Sequence, residues 1–243
     1  ASDDMAAVRS LALQFRPAQG REWRTAMNSA PMFSVRTPEA LVAQLHAFRP
    51  DPGSGKPSMA RIEAFRAMYP ETMGMRHWVQ AHPPSSSYGN GTYYGINAFR
   101  ISNAAGAEHM VRWRMVPALP YAAMGQTGDG DFLEHDLVQR LKQGPLRWEL
   151  IFTVAAPQDV TDDATRPWPD EARKQIDAGS LVIERASRQI YGACRDVVFD
   201  PLILPEGMAP SDDPLLPARS AVYARSFERR LREEARRSST LRN

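Results

Sequence analysis

The 243-residue chain has one cysteine, Cys194, which excludes an intramolecular disulfide and any zinc site built from several thiolates. Long apolar runs are missing as well. No stretch approaches the roughly 18 consecutive apolar residues that a membrane span requires, and no signal peptide is visible. Neither sign of charge is in excess. The 30 basic residues nearly cancel the 28 acidic ones, and the net charge of +2 gives no electrostatic reason to expect nucleic acid as a partner. The five histidines (His46, His77, His82, His109 and His135) lack the paired spacing of a metalloprotease-type metal site, and no nucleophile elbow is present. Segment 51–57, DPGSGKP, has the glycines and lysine of a phosphate loop but not their spacing. Pro57 after the lysine would interrupt the helix start, so the segment reads as a surface turn. The chain opens Ala-Ser-Asp-Asp with no initiator methionine, so a preceding segment is expected.

What is present is patterned. At 43% hydrophobic residues the chain can bury one substantial core, and a single domain over 1–243 is expected. Apolar residues alternate with polar or small ones over 8–15, predicting a half-buried strand, and Pro17 and Gly20 supply a turn into a second strand over 22–27. A long hairpin is predicted from 93–102 and 109–116, with turn chemistry at 103–106. Further strands are predicted at 148–154 and 181–184. Helical windows cover 38–48, 58–68, 71–81 and 132–142, and Thr37 before Pro38 reads as an N-cap followed by a first-turn proline. Segments 157–169 and 200–217 are irregular but carry Trp168, Leu202, Leu204 and Leu215, so they read as arms that wrap the body. The sum is an α+β protein on an antiparallel sheet or barrel, with a helix at its end.

Arginine crowds that last helix from Arg219 to Arg242. Most such runs are solvated faces. At about 100° per residue, however, Arg219, Tyr223, Ser226 and Arg230 fall within roughly 60° of one another, on one narrow polar face. An arginine one turn before a tyrosine can favour the phenolate, and a phenolate is a strong anionic ligand for ferric iron. Arg230, two turns further on, is placed to meet an anionic group beside such a metal.

Residues 218–230, ARSAVYARSFERR, resemble the proximal haem signature of catalases: an arginine, the ligand tyrosine four residues later, and a second arginine seven beyond it. The resemblance implies Tyr223 as axial iron ligand, Arg219 as its partner and Arg230 on a haem propionate, with Ser226 on the same face. Segment 197–216, VVFDPLILPEGMAPSDDPLL, is similar to the family's haem-packing segment and implies Phe199, Pro201 and Leu215 as pocket residues. MNSAPMF (27–33) resembles the distal segment in which an asparagine assists peroxide cleavage and a phenylalanine packs on the haem, which implies Asn28 and Phe33. YYGINAFRISNAAG (93–106) resembles the barrel hairpin, with Asn97 where the family often has histidine. AHPPSS, TYYGINAFR and APSDDPLLPARSA point to the shorter, catalase-related peroxidase branch.

The resemblance implies a catalase-like antiparallel β-barrel with wrapping arm and helices, holding haem b (iron protoporphyrin IX). It implies a peroxidase that takes hydrogen peroxide or organic peroxides together with an electron donor, with catalase activity as an accompaniment. The family's distal histidine, a distal serine and one propionate arginine belong to a stretch before Ala1, so the chain is expected to be N-terminally incomplete. The flavodoxin-like C-terminal domain of large catalases is not expected. Two other readings stay open: conversion of fatty-acid hydroperoxides on the same fold, and a non-catalytic module whose basic helix binds a partner. A homo-oligomer is compatible with the sequence, and the composition suits a bacterial source, cytoplasmic or periplasmic.

Overall fold

The computed structural model describes residues 2–188, 194 and 196–240, with side chains through residue 233. Seven strands form one antiparallel sheet in the order β1 (Ser10–Phe15), β2 (Trp23–Asn28), β3 (Tyr93–Ser102), β4 (Glu108–Pro117), β5 (Leu146–Val154) and β6 (Gln175–Ile183), with β7 (Met208–Pro210) pairing on β3. The sheet curls into a half-barrel. Its helices are α1 (Pro38–Ala47), α2 (Met59–Met68), α3 (Thr72–Ala81), α4 (Phe132–Gln143) and α5 (Leu215–Thr240). Arg242, the end of the basic run, lies outside the described residues.

β1 to β6 pair in sequence order and every pair is antiparallel; β1–β2 and β3–β4 are joined by turns, and the other connections return through α1 to α3, through α4 and through the arm at 155–174. The core lies on the side where Trp23, Trp113 and Trp148 are buried. Trp23 and Trp113 meet edge to face at 5.2 Å, and Trp113 Nε1 donates to Thr25 Oγ1 at 3.1 Å, so the indole is buried with its one donor satisfied. Gly95 on β3 makes room for this ring. A Cβ there would stand 2.6 Å from Trp113 Nε1, which no real contact tolerates.

The β3–β4 register shifts between Gly95 and Phe99. In a regular strand, consecutive side chains point to opposite faces. The irregularity lets Ile96 and Asn97, both buried, line the same cavity. Thr37 caps α1 by accepting from Ala40 N at 3.2 Å, as the sequence predicts. Segment 51–57 is an exposed closed turn, with Asp51 N donating to Lys56 O and Gly55 N to Asp51 O.

Two elements differ from expectation. β6 begins at Gln175, six residues ahead of the predicted start, because Asp177, Gly179 and Ser180 have turn-like chemistry that pairing with β5 overrides. β7 lies inside the stretch predicted as irregular. Three residues are too few for a periodic signal, and pairing with β3 creates the strand.

The close approach at Gly95 makes a sharp prediction. Gly95→Ala should lower stability by about 2 kcal/mol or more through overpacking against Trp113, read as a drop in the thermal midpoint. An unchanged midpoint would mean that the indole is not seated there.

Candidate functional site

One cavity of about 510 Å³ opens between the sheet, the arm preceding α5, and α5 itself. Its size lies within the roughly 300–1,000 Å³ usual for sites that take a small molecule or cofactor. From the sheet come Ser10 and Ala12 on β1, Ala26 and Asn28 on β2, and Ile96 and Asn97 on β3. Ser10 pairs with Asn28, Leu11 with Met27 and Ala12 with Ala26, so three cross-strand pairs line the cavity and the alanines leave it wide.

α5 contributes Leu215, Arg219, Tyr223, Ser226 and Arg230, spaced four, four, three and four residues apart. That spacing is one face of a helix, and it turns towards the cavity. Phe33 and Phe199 add aromatic walls. The predicted site residues therefore converge, with one exception. Pro201 is buried behind the main cavity, beside a smaller one that it shares with Ala26, Asn97 and Arg219.

The start of α5 is tied to β3 by a chain of hydrogen bonds. Asp213, 1% exposed, accepts from Leu215 N at 2.9 Å and from Asn97 Nδ2 at 2.8 Å. Asn97 Oδ1 in turn accepts from Arg219 Nη1 at 2.7 Å. The described hydrogen bond of Arg219 thus runs to Asn97 rather than to Tyr223. A carboxylate only accepts and a guanidinium only donates, so the two ends fix which way the Asn97 amide faces. Burial pushes the Asp213 carboxyl above the usual range, with its bonds from Asn97 and Leu215 and the Arg112 charge pulling the other way.

Phe33 is placed from a second direction. Its N–H donates to Ala164 O at 2.8 Å, and its ring packs against Ile96, Ala164 and Leu215. The segment carrying Ala164 is pinned by Arg112 on β4, which donates to Arg166 O, Asp163 O and Val160 O and lies 4.5 Å from the Trp168 ring centroid. Burial lowers the Arg112 guanidinium to about 10, with Asp213 and Asp163 opposing, so it stays cationic at neutral pH. The arm before α5 is fastened by Asp200, which accepts from Ser220 Oγ at 2.7 Å and from Leu202 N at 2.9 Å.

Asn97, Asp213, Arg112 and Ser10 are site or supporting residues that the sequence reading does not assign. Asp213 had a local signal, an acidic residue two places before Leu215 where a helix cap belongs. Asn97 and Arg112 find partners far along the chain, and no local pattern marks them. Among the described residues, no cluster of three or more His, Cys, Asp or Glu could hold a metal ion.

Fit to a porphyrin can be judged on the donor set. The cavity brings together one phenol oxygen, two guanidinium groups, and apolar walls from Phe33, Ile96, Phe199 and Leu215. An anionic ligand for iron, cations for propionates and flat apolar contact for a ring are what the group requires. The residues fit.

Asp213 holds two donors, so removing it should be costly. Asp213→Ala is expected to destabilise the fold by about 2 kcal/mol or more, leaving Leu215 N and Asn97 Nδ2 buried without their acceptor. A urea midpoint equal to that of the parent would contradict the tether.

The Catalase family model matches residues 1–237. The chain is 36% identical over 229 residues to a catalase-related peroxidase of Synechococcus elongatus, covering 92% of this chain and 67% of that protein. It is 30% identical over 233 residues to a catalase-related peroxidase of Mycolicibacterium paratuberculosis, covering 94% and 72%. A solved fungal catalase superposes with a TM-score of 0.82 at 18% identity, covering 93% of this chain and 48% of that one. The chain thus spans about two thirds of the two peroxidases and about half of the solved catalase. The match to the family model over residues 1–237, the two peroxidase relatives and the shared fold establish that this chain belongs to the catalase family.

Proposed function

We propose that the chain carries the haem pocket of a peroxidase, with haem b as cofactor, Tyr223 as axial iron ligand, and hydrogen peroxide or an organic peroxide as substrate. The observation that carries the reading is convergence. Tyr223, Arg219 and Arg230 from α5 and Asn28 from β2 line one cavity, although they lie almost two hundred residues apart in sequence.

When bound, the haem iron supplies the redox chemistry that splits the peroxide O–O bond. The rest is the work of this chain. Tyr223 would present its phenol oxygen to the iron, and Arg219, one helical turn earlier on the same face, is held by Asn97. Arg230 meets a propionate, a charge-assisted contact in a partly closed site. Phe33, Phe199 and Leu215 hold the ring by apolar contact and keep water away. Asn28 orients peroxide by hydrogen bonding. An electron donor is the second substrate.

Haem titration tests the assignment. Tyr223→Phe should lose the tyrosinate-type ferric spectrum and at least tenfold in haem affinity, because the phenol oxygen is the only atom removed. Arg230→Ala should weaken haem binding about tenfold with the spectrum retained, in line with loss of one charge-assisted contact. A Tyr223→Phe variant with an unchanged spectrum would refute the ligand assignment. Turnover of hydrogen peroxide against fatty-acid hydroperoxides then identifies the substrate.

A further inference from the structure

We propose that Ser10 is a positioning residue for Asn28: it holds the Asn28 amide so that the NH2 group faces the cavity and donates to the bound peroxide. The proposal rests on the haem-site reading above and goes beyond it by naming what sets the donor. Ser10 and Asn28 are direct partners in the β1–β2 register. Ser10 Oγ donates to Asn28 Oδ1 at 3.0 Å, and both residues line the 510 Å³ cavity.

A side-chain amide has an acceptor at one end and donors at the other, and its terminal torsion is broad. Left alone, the Asn28 amide could present either end. A carbonyl turned inwards could accept from a peroxide O–H but could donate nothing to the departing oxygen. The departing oxygen gains negative charge as the O–O bond breaks, so only the NH2 end helps. With Oδ1 engaged by Ser10, Nδ2 has no described protein partner and is left for the cavity. No other residue of β1 or β2 that lines the cavity could do this. Leu11, Ala12, Ala26 and Met27 line the same wall and carry no side-chain O–H or N–H.

The pair sits towards the cavity's open side, where Ser10 is exposed, so the effect should have the size of one solvent-accessible hydrogen bond. Two measurements decide it. In the haem-free protein, the side-chain NH2 resonances of Asn28 should move in Ser10→Ala and stay in place in Ser10→Thr, which keeps the hydroxyl. Resonances that ignore Ser10→Ala would overturn the proposal. In the haem-loaded protein, cyanide, which accepts a hydrogen bond at its outer atom, should bind about fivefold more weakly to Ser10→Ala and normally to Ser10→Thr. Ser10→Ala should cost nothing further in an Asn28→Ala background. An equal loss in that background would show Ser10 acting independently and would also overturn the proposal. Should the parent chain take up no haem, the haem-site reading fails separately, while the Asn28 resonances still decide the Ser10–Asn28 link.

Discussion

The hydrogen-bonded chain from Asp213 through Asn97 to Arg219 is the constraint on which the site depends, because it sets α5 against the sheet. α5 is a strongly polar helix. Among the described residues, its exposed face carries surface ion pairs such as Arg229 with Glu233, which contribute little. Burial of Leu215 and Leu216 and the capping carboxylate of Asp213 anchor its first turn, and Arg219 adds a second tie to β3 one turn later. Tyr223 and Arg230 follow on the same face. Their placement in the cavity is a geometric consequence of a helix whose first turns are fixed.

The sheet side obeys a complementary logic. A bulged β3 turns Ile96 and Asn97 to the same cavity, and Gly95 beside it lets Trp113 seal the core behind. Arg112 then transmits the position of β4 to the arm at 155–170, whose Ala164 carbonyl holds Phe33. The buried charge of Arg112 would be expensive unpaired. Three carbonyl partners and a Trp168 face offset that cost, and the same contacts fix a loop that would otherwise be free to shift. Packing and electrostatics thus serve one end, a cavity with polar groups at a few chosen points and apolar walls elsewhere.

Much of this was legible in the sequence, and the limits are physical. The aromatic and branched residues and the turn of the β3–β4 hairpin, the Thr37 cap of α1, and the helical spacing of α4 and of the polar face of α5 are all local signals, so a local reading finds these elements. β6 was not fully legible, because Asp177-Ala-Gly-Ser180 acquires its strand conformation from a neighbour. The match of Asn28, Phe33, Phe199, Leu215, Arg219, Tyr223 and Arg230 to family motifs found the cavity's lining. It did not find Pro201's place behind the wall, nor the link from Asn97 to Asp213 across 116 residues. Hydrogen bonds between distant segments have no period to read.

The central claim is that the Tyr223 phenol oxygen, presented by α5, is the protein's ligand for haem iron. Resonance Raman spectroscopy of the haem-reconstituted chain, excited in the tyrosinate charge-transfer region, tests this most directly. Iron–phenolate vibrations that disappear on removal of the Tyr223 hydroxyl are the predicted result. A spectrum typical of histidine- or water-ligated haem would contradict the account.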